Sequence, residues 1–232
     1  MWQAFLSNRR IGSSRPDAPS DGLRSEFHKD YDRIIFSSAF RRLSDKTQVV
    51  PFPQSDYTRQ RLTHSLEVSC VGRSLATSGY GMVRDEIGEL VSQGDFEAIV
   101  AAACLAHDIG NPPFGHFGER AIQDWAKQRL AGPQFDELSD AERADLTKFE
   151  GNAQSFRVLS RLQMSNRRGG MRLTAATLGA LVKYPRPSHV AGTARYKKHG
   201  YFQDDAELFS EVFAAAGREP DELGQFARHP LA

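Results

Sequence analysis

The chain has 232 residues, of which 40% are hydrophobic and 25% charged, with 30 Lys or Arg against 29 Asp or Glu. This composition is ordinary for a globular protein and argues against collagen-like, disordered and coiled-coil classes. No apolar run reaches the roughly 20 residues of a membrane-spanning helix, and residues 1–10 do not resemble a signal peptide. Cys70 and Cys104 are too few for a disulfide framework, so we expect two core thiols in a cytoplasmic protein without a membrane partner.

Helical spacing of apolar residues dominates the chain after its first 25 residues. Residues 1–25 carry turn-forming Ser, Pro and Gly, and we expect them to form an N-terminal arm that packs on the body or stays mobile. Helices are predicted from Tyr31 to Leu43, from Arg59 to Ser78 with Gly79 ending it, and from Asp95 to Gly110. Further helices are predicted at about 119–130, 140–147, 152–162, 174–184 and 204–216. Because no segment alternates as a strand does, we predict an all-α fold with a single domain over residues 26–232.

Charge is distributed unevenly along the chain. Residues 151–203 contain ten Lys or Arg and no Asp or Glu, which leaves 20 basic and 29 acidic residues elsewhere. A long stretch without carboxylates favours a surface that meets a polyanion, either a polyphosphate ligand or a nucleic-acid backbone. The alternative is a solvated face, although such faces usually mix both signs.

Chemistry-bearing side chains concentrate around one predicted helix end. His107 and Asp108 are adjacent where the third helix stops, so both can bind one ion only if it lies near the helix terminus. His64 lies within the second helix, three residues after Arg61. From His107 to Glu119, glycines and prolines alternate with polar groups, which is typical of a rigid turn that presents side chains to a site. A lone helical histidine is more often structural than a ligand, but this combination favours a site.

The ordered motifs resemble a known family. His64 followed by the His107-Asp108 pair is similar to the signature of the HD superfamily of metal-dependent phosphohydrolases. The run from Arg61 to Val68 and the turn from Gly110 to Glu119 are similar to the deoxynucleoside triphosphate triphosphohydrolases, the dGTPase family. Further matching runs lie at 40–43, 46–49, 150–154 and 183–185, so the resemblance covers about residues 25 to 230. It implies an HD-domain helical bundle.

The resemblance also implies a metal cofactor. It assigns His64, His107 and Asp108 as ligands of a divalent metal ion. Mn²⁺ or Mg²⁺ is favoured, and Fe, Ni or Zn would also suit imidazole and carboxylate donors. In the family a fourth ligand, an Asp, follows a segment like residues 228–232, where this sequence stops. We therefore expect a chain truncated at its C-terminal end, with its activity as it stands in doubt.

The activity implied by the resemblance is hydrolysis of deoxynucleoside triphosphates, with dGTP favoured, to deoxynucleoside and tripolyphosphate. His116 would be the acid/base group and Glu119 its partner. Arg61, one helical turn before His64, would clamp the α-phosphate. The remaining substrate contacts implied by the family are Gln48, Val49, Asn152, Lys183 and Lys198, where Lys198 is chosen over the adjacent Lys197 by its position relative to Gly200.

Two other functions remain open from the sequence. One is an HD phosphohydrolase of a different nucleotide, such as a nucleoside monophosphate. The other is a catalytically incomplete module that binds a polyanion or single-stranded DNA through residues 151–203. Family members are usually homo-oligomers, including hexamers, and some bind single-stranded DNA or a nucleotide effector, so these are expected partners besides the substrate.

Overall fold

The computed structural model describes residues 1–13, 24–46, 60–130, 132, 135–191 and 196–232, and these residues form an all-α fold. Two isolated β-bridges join described residues to each other, Arg10 with Thr174 and Pro187 with Tyr201. The helices are α1 Trp2–Phe5, α2 Glu26–Phe36, α3 Ser38–Arg41, α4 Arg61–Ile87, α5 Gln93–Ala106, α6 His116–Arg129, α7 Asp140–Thr147, α8 Gly151–Arg157, α9 Ala175–Leu181 and α10 Ala206–Ala215. The described part of the chain also has 3₁₀ turns at Arg42–Asp45 and Gln203–Asp205 and a π-helical segment at Val158–Leu162.

Several predicted helix ends differ from the structure. The expected stop at Gly79 is wrong, because α4 continues through Gly79 and Gly81 to Ile87. A Cβ built at Gly79 would contact only the ring of Phe96, and one built at Gly81 would contact nothing within 4 Å. Neither glycine marks a change of chain direction. The predicted helix from Tyr31 is divided at Ser37, whose hydroxyl caps α3 by accepting a hydrogen bond from the Phe40 amide.

Helix α5 is the centre of the bundle. It packs against α4, α2 and α9, and eight of its residues are buried, most of them alanines. Small side chains let the neighbouring helix approach closely: a Cβ at Gly72 of α4 would lie 2.4 Å from the Cys104 sulfur. The Ser69 hydroxyl of α4 also donates to the Ala101 carbonyl of α5 over 2.9 Å. This tight contact holds α4 and the C-terminal end of α5 in a defined register.

Residues 1–13 pack on the helical body. Ile11 is fully buried, and its amide donates to the Leu173 carbonyl. The Arg10 guanidinium donates to Asp30 over 2.9 Å, and Asp30, which is also fully buried, accepts from the Thr174 amide. Burial raises the pKa of Asp30 and the Arg10 charge opposes that rise. The start of the chain is therefore hydrogen-bonded to α2 and forms a β-bridge with Thr174, the residue that caps α9. The predicted domain boundary between residues 25 and 26 stays a prediction.

The cysteine prediction is wrong in one respect. Cys104 is half-buried but Cys70 is exposed, on the outer side of α4, and both are free thiols. Burial raises the pKa of the Cys104 thiol. Within the described residues, no helix has the length and apolar character needed to span a bilayer.

Carboxylates from outside residues 151–203 neutralise much of that basic stretch. Arg157 pairs with the buried Asp205 at 2.8 Å, and Arg168 pairs with Glu207 and Glu211 at 2.7 and 2.6 Å. Other members of the stretch donate to backbone carbonyls instead, among them Arg167, Arg172 and Arg186. These pairings reduce the charge available for a polyanion surface.

Candidate metal centre

Three predicted ligands come together at the C-terminal end of α5. One donor atom from each of His64, His107 and Asp108 lies within 4.8 Å of the other two. His64 reaches the cluster from the first two turns of α4, while His107 caps α5 and Asp108 begins the following turn. The two imidazole rings meet edge to face with centroids 5.3 Å apart. Two helices held in fixed register thus place three donors around one point.

Hydrogen bonding orients the His107 ring. Its Nδ1 lies 2.7 Å from the Cys104 carbonyl, so Nδ1 carries the proton and donates. Its Nε2, 3.3 Å from an Asp108 oxygen, is then the nitrogen that presents a lone pair to the cluster. Burial lowers the pKa of His107, and the neighbouring Asp108 charge opposes that change. A neutral imidazole with a fixed tautomer is the form that binds a metal ion.

Asp108 is held by two further side chains. Arg61 Nη1 donates to one carboxylate oxygen over 2.7 Å, and the Asn111 amide donates to the other. The Asp108 side chain is only 10% exposed and that of Arg61 only 6%. The Arg61 Nε is buried and, among the residues that the structure describes, has no hydrogen-bond partner. The Nε–H is therefore an unused donor beside the Asp108 contact.

The turn after Asp108 packs directly on α8. A Cβ at Gly110 would lie 2.1 Å from the backbone nitrogen of Ser155, so only glycine fits there. The Gly110 amide donates to the Ser155 hydroxyl over 3.0 Å, and the one proton of that hydroxyl lies within hydrogen-bond reach of the His107 and Gly151 carbonyls. Later in the turn, Phe114 and Gly115 both adopt positive φ, at 64° and 54°, and α6 begins immediately afterwards. A turn is therefore present at these residues, and the rigid, side-chain-presenting role expected of it from the sequence stays a prediction.

His116 and Glu119 form a hydrogen-bonded pair in the first turn of α6. His116 Nδ1 lies 2.7 Å from one Glu119 oxygen, and the other oxygen accepts from the Gly151 amide over 2.9 Å. The His116 side chain is 75% exposed, whereas that of Glu119 is 9% exposed. A buried carboxylate thus orients an accessible imidazole and leaves its Nε2 directed away from the carboxylate.

Other predicted substrate contacts lie near this centre. Lys198 Nζ and Asn152 Nδ2 both donate to Glu150, over 2.9 and 2.7 Å. Lys183 is exposed and close enough to His107 for its charge to lower the pKa of that imidazole. Gln48 and Val49 lie outside the described residues. The roles given to these side chains remain predictions.

Sequence reasoning missed four residues of this region. Lys46 donates to the Asn111 carbonyl over 3.1 Å, and burial together with the Arg61 charge lowers its pKa. The other three are hydrogen-bonded to the side chain or the backbone of a predicted site residue: Asn111 to Asp108, Ser155 to the His107 carbonyl and Glu150 to Lys198. Lys46, Asn111 and Glu150 lie within or beside the motif runs, but sequence gives no sign of which side chains they would contact.

The donor set suits a divalent cation. Two imidazoles and one carboxylate match the preferences of first-row transition metals, and the Asp108 carboxylate is paired with Arg61. Within the described part of the chain no fourth His, Cys, Asp or Glu joins the three.

Comparisons with known proteins agree with this geometry. Residues 61–175 match the HD domain family model. The chain is 50% identical over 233 residues to a deoxyguanosinetriphosphate triphosphohydrolase-like protein of Pseudomonas aeruginosa, covering 99% of this chain and 52% of that protein. A protein of the same name from Synechocystis is 46% identical over 246 residues, covering 99% and 55%. A deoxyguanosinetriphosphate triphosphohydrolase of Klebsiella pneumoniae is 40% identical over 262 residues, covering 98% and 49%. The chain spans about half the length of these relatives.

Proposed function

We propose that this chain takes part in the hydrolysis of deoxynucleoside triphosphates to deoxynucleoside and tripolyphosphate, with dGTP as the favoured substrate. The chain belongs to the HD-domain family and to its deoxyguanosinetriphosphate triphosphohydrolase-like members. The observation that carries the proposal is the convergence of a three-donor metal site, a buried arginine and a His-Glu pair on one turn. Mn²⁺ or Mg²⁺ is the cation we favour, with Fe, Ni or Zn as alternatives.

His64, His107 and Asp108 would hold the metal ion. When bound, the ion supplies Lewis acidity to a phosphate oxygen and lowers the pKa of a coordinated water. Arg61 would contribute the second positive charge. Its Nη1 is committed to Asp108 and its Nε is unpartnered, so the Nε edge of the guanidinium can donate to the α-phosphate.

His116 would move the protons of the reaction. Hydrolysis forms a bond from water oxygen to the α-phosphorus and breaks the bond between that phosphorus and O5′ of the deoxynucleoside. Water loses a proton and O5′ gains one. His116 Nε2 is exposed and would accept or donate at this step, while Glu119 holds Nδ1–H and stabilises the imidazolium.

Lys198 and Lys183 would bind the β- and γ-phosphates, and Asn152 would complete that polar wall. The structure gives a reason to choose Lys198 over its neighbour: Lys198 is half-buried and paired with Glu150, whereas Lys197 is exposed. Gln48 and Val49 would contact the base and sugar. The homo-oligomer, the single-stranded DNA and the nucleotide effector that the family suggests are also proposals for this chain.

Product analysis tests the proposal. The purified chain is incubated with Mn²⁺ or Mg²⁺ and each of the four deoxynucleoside triphosphates, and the products are resolved by ion-exchange chromatography. We expect deoxynucleoside and tripolyphosphate in equal amounts, fastest with dGTP, and none from Asp108→Ala. Pyrophosphate or orthophosphate would instead indicate a different HD phosphohydrolase. No product under any condition would favour the nucleotide- or polyanion-binding module.

A further inference from the structure

Lys198 is held at both of its ends. Its ammonium donates to Glu150 Oε1 over 2.9 Å, and its backbone carbonyl accepts from Arg186 Nε over 2.7 Å. Arg186 is buried and also donates to the carbonyls of Pro187, Val190 and Lys197. The segment that carries Lys198 is therefore fixed by a guanidinium, and the flexible lysine stem is fixed by a carboxylate.

Glu150 joins two predicted substrate contacts. The same oxygen, Oε1, accepts from Lys198 Nζ and from Asn152 Nδ2, and the Glu150 side chain is only 8% exposed. The next residue, Gly151, donates its amide to Glu119, which orients His116. Three consecutive residues thus connect the predicted phosphate lysine to the predicted acid/base pair.

We infer that Glu150 is a positioning residue for triphosphate binding, an inference that rests on the proposed function. Glu150 is not expected to touch the substrate or the reacting atoms. A lysine ammonium has three donors. Glu150 takes one of them and fixes the direction of the others, which are then available to phosphate oxygens. Holding a flexible side chain in its bound geometry before the ligand arrives improves affinity, because less conformational entropy is lost on binding.

The charge of Glu150 does not argue against this role. A buried carboxylate without a partner would be costly, and Lys198 together with Asn152 supplies that partner. A polyphosphate carries several negative charges, so Lys198 can bind it while it remains paired with one carboxylate. Removing the carboxylate leaves the ammonium charged but free to rotate, and we expect the loss of orientation to outweigh the gain in positive potential.

The test compares Glu150→Gln with a matched control, Glu26→Gln. Glu26 also accepts from a lysine, Lys29, over 2.8 Å, but lies on α2 and touches no predicted site residue. Two quantities are measured for each protein: the Kd of tripolyphosphate by calorimetry, and KM and kcat for dGTP with Mn²⁺. We expect E150Q to raise both Kd and KM about tenfold with kcat within about twofold. E26Q should leave both constants unchanged.

A double-mutant cycle separates positioning from general structural damage. Lys198→Met should raise Kd by at least as much, and E150Q/K198M should raise it no further than K198M does, because Glu150 acts only through Lys198. Lys197→Met is the control for the neighbouring lysine and should have little effect. Additive effects in the cycle, an unchanged Kd in E150Q, or a lowered Kd would each overturn the inference.

Folding, tripolyphosphate binding and nucleotide hydrolysis are measured separately. If E150Q lost its helical circular dichroism signal, the test would use Glu150→Asp in its place, because aspartate keeps the negative charge on a side chain shorter by one methylene. Unfolding of both variants would show that Glu150 has a structural role and would overturn the inference. A wild type that binds tripolyphosphate in a Glu150-dependent way but hydrolyses no nucleotide would retain the inference and reject the proposed reaction. A wild type that does not bind tripolyphosphate would reject the inference.

Discussion

The Arg61 guanidinium donates to the Asp108 carboxylate across 2.7 Å inside the bundle, with both side chains at most 10% exposed. One residue is a predicted phosphate ligand and the other a predicted metal ligand, so the contact links the two halves of the proposed chemistry. The contact also gives the buried Asp108 carboxylate a positively charged partner, which offsets the cost of burying it.

Replacing Asp108 and His116 should separate metal binding from proton transfer. Asp108→Ala removes a donor and leaves Arg61 without its partner, so we expect loss of both metal binding and turnover. His116→Ala should abolish turnover while the metal stays bound, since His116 is not one of the three clustered donors. Metal stoichiometry after dialysis against Mn²⁺, measured by mass spectrometry, distinguishes them. Equal metal loss in the two variants would contradict this division of roles.

Glu119 should affect turnover without affecting the metal. Glu119→Gln removes the charge that stabilises the His116 imidazolium, and we expect kcat to fall about 10- to 100-fold with metal content unchanged. Asp124→Asn is the matched control, because Asp124 is an exposed carboxylate on the same helix and pairs with the exposed Lys127. A kcat for E119Q within twofold of the wild type would show that Glu119 is merely a first-turn carboxylate of α6.

Sequence predicts the helices and the donors better than it predicts their connections. The His107-Asp108 pair lies at a helix end in the sequence pattern and in the structure, although α5 ends at Ala106 and not at the predicted Gly110. By contrast, the residue type at Gly79 alone predicts a helix end there, and this prediction is wrong. Gly79 is tolerated within α4 because the packing of α4 on α5 outweighs the modest propensity cost of a glycine.

Contacts between distant segments could not be predicted. Glu150 accepts from a lysine 48 residues away, and Glu119 accepts from an amide 32 residues away. Neither pairing follows from local spacing, since helical neighbours are three or four residues apart. The basic stretch shows the same limit: its carboxylate partners, Glu207 and Glu211 among them, come from α10, beyond the stretch itself.

Two glycine substitutions should have opposite effects on stability. Gly110→Ala places a Cβ 2.1 Å from the Ser155 nitrogen, and forcing α8 away should cost about 1–3 kcal/mol and weaken metal binding. Gly81→Ala meets nothing within 4 Å on the exposed side of α4, and should gain about 0.5–1 kcal/mol from reduced backbone entropy in the unfolded chain. Chemical denaturation monitored by circular dichroism gives both values. Destabilisation by G81A would mean that this face of α4 is covered in solution.

Stability should also fall as the solution is acidified, through a buried histidine near the end of the chain. His229 Nε2 donates to the Phe5 carbonyl over 2.9 Å and Nδ1 accepts from the Leu231 amide, so the neutral ring satisfies both partners. Burial lowers the pKa of His229 from 6.5 to about 4. The unfolded chain therefore takes up a proton near pH 6.5, whereas the folded chain resists it until about pH 4.

The sign and size of this effect follow from proton linkage. The contribution of His229 to the free energy of unfolding is complete above pH 6.5 and is lost as the pH falls toward 4. The loss amounts to about 2 kcal/mol by pH 5. His199, whose pKa burial lowers to about 3, acts in the same direction. Burial raises the pKa of Asp30, Asp145 and Asp205, and these carboxyls act in the opposite direction, so the test compares a variant with the wild type and does not use the wild-type slope alone. His229→Gln keeps a donor for the Phe5 carbonyl and should reduce the loss in unfolding free energy between pH 8 and 5 by about 2 kcal/mol. His28→Gln, at an exposed histidine, is the control, and an equal reduction there would show that the pH dependence does not come from the buried ring.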